Sequence, residues 1–234
     1  MTFDVGGNPY PIDRNADARA TGKRPVVVVV HGVDGMGGAS GIEIGKFATQ
    51  LAGEGFLVFT PHYFDAADGP DTLPLEAMLA LRVPRVASYP PRIAAAIDFA
   101  LTQPDADGDR LGLIGLSLGG GLALGYAESA PAGRVKALVD FFGHIADASI
   151  LANVKRLPPT LILHNLKDEV VKVVDSSQPL LEELGKTTVT HDHKFYSEDH
   201  LARKHHPFLP GGFADTDSRA RSVAWLKKYL LGSS

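Results

Sequence analysis

Cysteine is missing from this 234-residue chain altogether. That absence removes disulfide staples, thiolate metal ligands and a cysteine nucleophile in one step, while leaving the redox compartment undecided. Long apolar runs are missing too, since no stretch approaches the roughly 20 residues that a membrane-spanning helix needs. The opening segment, residues 1–24, is polar and interrupted by Gly6, Gly7, Pro9 and Pro11, unlike a secretory leader, and a cytoplasmic location is expected. Nor is there an excess of positive charge. The formal net charge is −4 and the 23 Lys and Arg residues are dispersed, which leaves no electrostatic footprint for nucleic acid. No Pro/Ser-rich linker, internal repeat or low-complexity tract interrupts the chain, so a single domain over residues 1–234 is expected.

What is present alternates. Apolar runs at Val26–Val30, Phe56–Thr60, Leu111–Leu116, Ala137–Phe142 and Thr160–His164, followed by a more alternating Thr187–Tyr196, read as strands. Between them Ile42–Ala52, Arg92–Leu101, Leu118–Glu128, Ser176–Leu184 and Ser218–Leu230 carry helical periodicity. Strand and helix in turn predict an α/β architecture, a mostly parallel sheet with helices on both faces. In such sheets ligands gather beyond the carboxyl ends of the strands, so the residues that follow each strand are the ones to search.

Gly115-Leu116-Ser117-Leu118-Gly119 joins one of these strands to a helix. A serine there is forced onto a sharp, strained turn that lifts its hydroxyl clear of the backbone, and only small neighbours permit the crowding. The pattern G-x-S-x-G also arises as an ordinary glycine-rich turn, so its context has to carry the reading. After the first valine run comes His31-Gly32-Val33-Asp34-Gly35-Met36-Gly37-Gly38, rich enough in glycine to bring backbone N–H groups close to a developing oxyanion. The N–H groups of Val33 and Leu118 are assigned as the two donors. A phosphate-binding loop is excluded, because no G-K-[ST] ends the segment and Ser40 stands where a dinucleotide motif needs its third glycine.

Asp168 follows the strand that ends near His164 and suits the role of a carboxylate orienting an imidazole; its neighbour Glu169 would point elsewhere, and Asp140 falls within a strand pattern. His200 follows the last strand. The order Ser117, Asp168, His200 is that of α/β-hydrolases, not of the chymotrypsin or subtilisin types.

These residues carry a resemblance. VVVVVHGVDG (26–35), FLVFTPHYFD (56–65), RLGLIGLSLGGG (110–121), LHNLKDEVV (163–171) and FYSEDH (195–200) fall in the order of the dienelactone hydrolase family. The resemblance spans residues 26–230 and implies an esterase core of the α/β-hydrolase fold. With only residues 143–159 between two strands, where many relatives insert a large cap, no cap domain is expected. Two departures stand out: Ser117 replaces the cysteine nucleophile of the name-giving members, and Gly32 stands where they carry a glutamate. Serine has no low-pKa thiolate and needs an adjacent base throughout, which shifts the expected substrates toward ordinary small esters and lactones.

Other residue groups compete for attention. Arg203 and Lys204 could receive a substrate carboxylate, although a cation pair in a loop is ordinarily a solvated face. His191 and His193, with His205 and His206, would allow a surface zinc site, but no further ligand is specified and no metal or cofactor is assigned. The run from Asp105 to Arg110 lacks the glycine and terminal glutamate of a calcium loop and is read as the turn that feeds the elbow strand. His62 and His144 follow strands and could line the pocket, and residues 65–91 could form either a flap or plain packing. The expected partner is a small-molecule ester, with no nucleic acid and no membrane span; the oligomeric state is not encoded. An acyltransferase or peptidase would use the same three side chains, and a noncatalytic binding module is a further alternative.

Overall fold

The computed structural model describes residues 1–145, 147–197 and 213–232. Eight strands form one sheet: β1 (Thr2–Val5), β2 (Asn8–Asn15), β3 (Arg24–Val30), β4 (Leu57–Pro61), β5 (Ala106–Leu116), β6 (Val135–Phe141), β7 (Thr160–Asn165) and β8 (His191–Tyr196). Their order is β1-β2-β4-β3-β5-β6-β7-β8. The β1–β2 and β2–β4 pairings are antiparallel and all pairings from β4 through β8 are parallel. The helices are α1 (Gly38–Gly53), α2 (Leu75–Arg82), α3 (Pro90–Leu101), α4 (Leu118–Ser129), α5 (Ala148–Ala152), α6 (Ser177–Leu184) and α7 (Phe213–Leu226).

The five consecutive valines explain themselves through the two faces of the sheet. Successive strand side chains point to opposite faces, so Val26, Val28 and Val30 pack with Ile93 and Ile97 of α3, Leu122 of α4 and Leu180 of α6. Val27 and Val29 pack on the other side with Ile44, Phe47 and Leu51 of α1 and Leu226 of α7. A strand covered on both faces has no use for polar alternation.

One expectation is corrected here, and one hairpin is added. The segment Asp105–Arg110 is not a turn before the strand: β5 already begins at Ala106, and its pairing with β3 jumps from Pro25↔Asp107 to Val26↔Leu111, leaving Gly108, Asp109 and Arg110 as a bulge. The polar N-terminal stretch is a hairpin, β1–β2, which the apolar pattern missed because Pro9 and Pro11 interrupt it. Residues 8–11 take their strand partners from β1, while Ile12–Asn15 pair with β4, so Pro9 lies where the strand has a neighbour on one side alone, and Pro11 reaches the β4 side through its carbonyl, which accepts the His62 N–H at 2.9 Å and needs no N–H of its own. Between β6 and β7 the described residues hold only the short helix α5 and a 3-10 turn, Val154–Arg156.

Candidate active site

Ser117 stands at the carboxyl end of β5, and α4 begins at the next residue. Its backbone adopts φ 54° and ψ −117°, a conformation that costs a side-chain-bearing residue on the order of 1–3 kcal/mol. Neighbours hold it there. The Ser117 N–H donates to the Phe141 carbonyl at 2.9 Å, and the Ser117 carbonyl accepts from the Gly120 and His144 N–H groups at 2.9 Å each. The flanking glycines are required by contact distance: a Cβ on Gly115 would lie 2.4 Å from the Gly119 carbonyl oxygen, and one on Gly119 would lie 2.2 Å from that of Val30. The elbow read from the sequence is therefore formed, with β3, β5 and α4 in near backbone contact.

The glycine loop after β3 lies against it. A Cβ on Gly32 would sit 3.3 Å from the Ser117 Cβ, so any side chain there would press on the serine. His31, 1 % exposed, points its Nδ1 at the Gly32 carbonyl, 2.9 Å away. That oxygen can only accept, so Nδ1 carries the proton. Burial lowers the His31 pKa to about 4, against the opposing effect of this hydrogen bond, and the ring is neutral at neutral pH. Tyr63 stacks on it at 4.1 Å and donates its hydroxyl to the His31 carbonyl at 2.8 Å. The Gly35 N–H also reaches the Gly32 carbonyl, at 3.1 Å. The peptide that carries the Val33 N–H is thus held through its oxygen.

Arg82 holds the next carbonyl. Fully buried, it donates to Val33 O at 2.6 Å, to Asp68 O at 2.9 Å, to Gly69 O at 2.8 Å and to the Asp71 carboxylate at 2.8 Å. Asp71 in turn accepts the Met36 and Gly37 N–H groups at 3.0 and 2.9 Å. Residues 65–91 therefore form an anchored element, with Arg85 and Arg92 paired to Asp65 and Asp68, and not a flap. Nothing in the sequence singled out Arg82 or Asp71, because their partners are mostly main-chain oxygens and N–H groups distant along the chain.

Asp168 lies beyond β7, its side chain fully buried. One carboxylate oxygen accepts the Val170 and Val171 N–H groups at 2.8 and 2.9 Å, and the other is 3.3 Å from Nε2 of His164. His164, also fully buried, donates Nε2–H to the Val171 carbonyl at 2.8 Å and sets Nδ1 2.7 Å from the Ser177 hydroxyl. It was read only as the end of a strand; its spacing of four from Asp168 was the available signal. Glu169 is exposed, as expected. The ends of β5 and β7 are two strand spacings apart, roughly 10 Å, a span that an imidazole between Ser117 and Asp168 would bridge. His200, Arg203, Lys204, His205 and His206 lie outside the described residues.

Asp140 is buried in β6, as its strand pattern implied. Its carboxylate oxygens find no hydrogen bond of good geometry among the described residues, and burial raises its pKa to about 7 against the pull of His164 and the Gly143 N–H. His62 pairs with Asp13 of β2 at 2.9 Å. His144 flanks an apolar groove beside α4.

The profile of the dienelactone hydrolase family matches residues 14–230. Over 143 residues the chain is 32% identical to acyl-coenzyme A thioesterase 1 of Rattus norvegicus, a match that covers 58% of this chain and 31% of that longer protein. Among solved structures, a chain from Klebsiella pneumoniae subsp. pneumoniae MGH 78578 assigned to the dienelactone hydrolases superposes with a TM-score of 0.81 at 21% identity, covering 98% of this chain and 97% of that one. A dienelactone hydrolase-like promiscuous phosphotriesterase from metagenomic libraries gives 0.74 at 22% identity, over 97% and 96% of the two chains. At these identities the structural likenesses establish the α/β-hydrolase architecture.

Proposed function

Because the chain belongs to the dienelactone hydrolase family and is a hydrolase, we propose that it hydrolyses small carboxylic esters or lactones with Ser117 as nucleophile, through an acyl-enzyme. The observation that carries the reading is the strained Ser117 turn, enforced by Gly115 and Gly119, with the Gly32–Val33 loop packed against it. An enzyme keeps such a conformation where the serine hydroxyl must be presented at the tip of a turn.

In this reading His200 takes the Ser117 hydroxyl proton as Oγ forms a bond to the ester carbonyl carbon, and Asp168 orients the imidazole and stabilises its charged form. The Val33 and Leu118 N–H groups receive the oxyanion, a contribution worth about 3 kcal/mol for each donor in comparable sites. Collapse breaks the bond to the leaving alcohol, which departs with the proton from His200. Water then gives a proton to His200 and attacks the acyl-enzyme, and expulsion of Ser117 releases the acid. Main-chain donation from Val170 and Val171 holds the Asp168 carboxylate in place.

The test is covalent labelling by a serine-directed organophosphorus probe alongside turnover of p-nitrophenyl esters, lactones, thioesters and peptides. Stoichiometric labelling of the native chain and none of Ser117→Ala is expected. Labelling that persists in Ser117→Ala would remove Ser117 from the role, and turnover of peptides alone would assign the same site to a peptidase.

A further inference from the structure

A groove of about 750 Å³ runs beside α4. It begins at the catalytic end of the sheet, where Leu118 opens α4 and His144 follows β6, and it continues to Ser129 at the far end of that helix. At 1.5 Å per residue this is a path of roughly 16 Å. One wall comes from the 3-10 turn Val83–Ser88 and the start of α3, including Pro90 and Ala94, and the other from α5, including Ile150.

Two features identify what would lie there. The first is continuity with the elbow: Leu118 directly follows Ser117, and two further lining residues, Gly121 and His144, donate their N–H groups to the Ser117 carbonyl at 3.3 and 2.9 Å. The second is charge. Among the described residues the lining includes two carboxylates, Glu128, paired with Arg156 at 3.7 Å, and Asp147, and no lysine or arginine, and the rest is mostly apolar, a surface that presents no lining cation to an anionic group and gains from removing hydrocarbon from water. Building on the esterase reading, we propose that the groove is an acyl-chain subsite, which takes the uncharged aliphatic chain of an ester whose carbonyl carbon faces Ser117. The hydrolase would then select its substrates by the length of the acyl group.

Gly125 lies midway along the groove, where an added Cβ would meet only the Ile150 side chain, at 3.9 Å. A larger side chain is therefore accommodated by the helix and projects into the path. The experiment measures kcat/KM for p-nitrophenyl acetate, butyrate, octanoate and dodecanoate in the native chain, in Gly125→Leu and in Ala94→Leu from the opposite wall. In the native chain kcat/KM is expected to rise roughly threefold per added methylene over the middle of the series. The octanoate-to-acetate ratio should fall at least about tenfold in either folded variant. Alkyl acetates, which lengthen the alcohol instead, should show no such selective loss. A native profile that is flat or falls from acetate onward overturns the subsite and leaves the esterase reading standing. So does an unchanged ratio in a folded variant, or a loss confined to long alcohols. Absence of turnover on every ester, together with no labelling of Ser117, defeats both readings.

Discussion

His31 donates Nδ1–H to the carbonyl of Gly32, 2.9 Å away, and through that bond fixes the peptide plane whose other end is the Val33 N–H. A backbone donor can stabilise an oxyanion only if it already points at the site before charge develops. The buried, neutral ring therefore acts as a positioning residue for the proposed oxyanion hole, with Tyr63 stacked on its face.

Substituting His31→Gln should lower kcat on p-nitrophenyl butyrate by about tenfold or more, since loss of one such donor costs on the order of 100-fold or more and a misdirected one somewhat less. KM should change little. Steady-state kinetics on protein shown by circular dichroism to be folded checks this; an unchanged kcat would leave the ring a packing role only.

The same ring makes the fold acid-sensitive. Its folded pKa of about 4 lies below the ordinary 6.5, so between these values the unfolded chain binds a proton that the native state does not. Stability is then lost as pH falls from about 6.5 toward 4, by up to a few kcal/mol, on the order of 1.4 kcal/mol per unit of difference. Urea titrations across this window should show a shallower acid slope in His31→Gln.

Asp140 works in the opposite direction. Burial raises it from 3.8 to about 7, so the native state holds a proton that the unfolded chain has released, and stability falls as pH rises between those values. Asp140→Asn removes this dependence. Its stability relative to the native chain should improve from pH 4 to pH 8 by on the order of a few kcal/mol, read from denaturant midpoints at the two pH values.

Arg82 supports the loop from below. Replacing it with Met leaves the Val33, Asp68 and Gly69 carbonyls and the Asp71 carboxylate without the guanidinium they share. A loss of about 3–5 kcal/mol is expected, and kcat should fall more than KM rises. Chemical denaturation and steady-state kinetics measure the two effects.

Ser117→Gly should abolish turnover and yet stabilise the fold by about 1 kcal/mol, because glycine adopts φ 54° without the cost a Cβ imposes. A rise in melting temperature accompanied by loss of labelling would display the strain directly; a lower melting temperature would mean that the turn stores none.

The order of elements, the two-sided burial of the valine run and the elbow itself were legible because each depends on residues close together in the chain. Val26–Val30 has no polar position, and Gly115 and Gly119 flank Ser117 within five residues. Pattern also carried the expectation that Asp168 and Glu169 point different ways, since a short loop after a buried strand turns one side chain inward and the next outward.

What only the tertiary structure decided are contacts between residues far apart in the chain, most of them at the carboxyl end of the sheet. The clamp of Arg82 on Val33 closes 49 residues of chain, the His31–Tyr63 stack 32, and the place of Pro9 in β2 depends on that half of the strand pairing with β1 alone. Local sequence encodes propensity and burial period. Which distant carbonyl a guanidinium meets, or how a buried carboxylate such as Asp140 is desolvated, depends on how strands and helices stack, and that information exists only once they have packed.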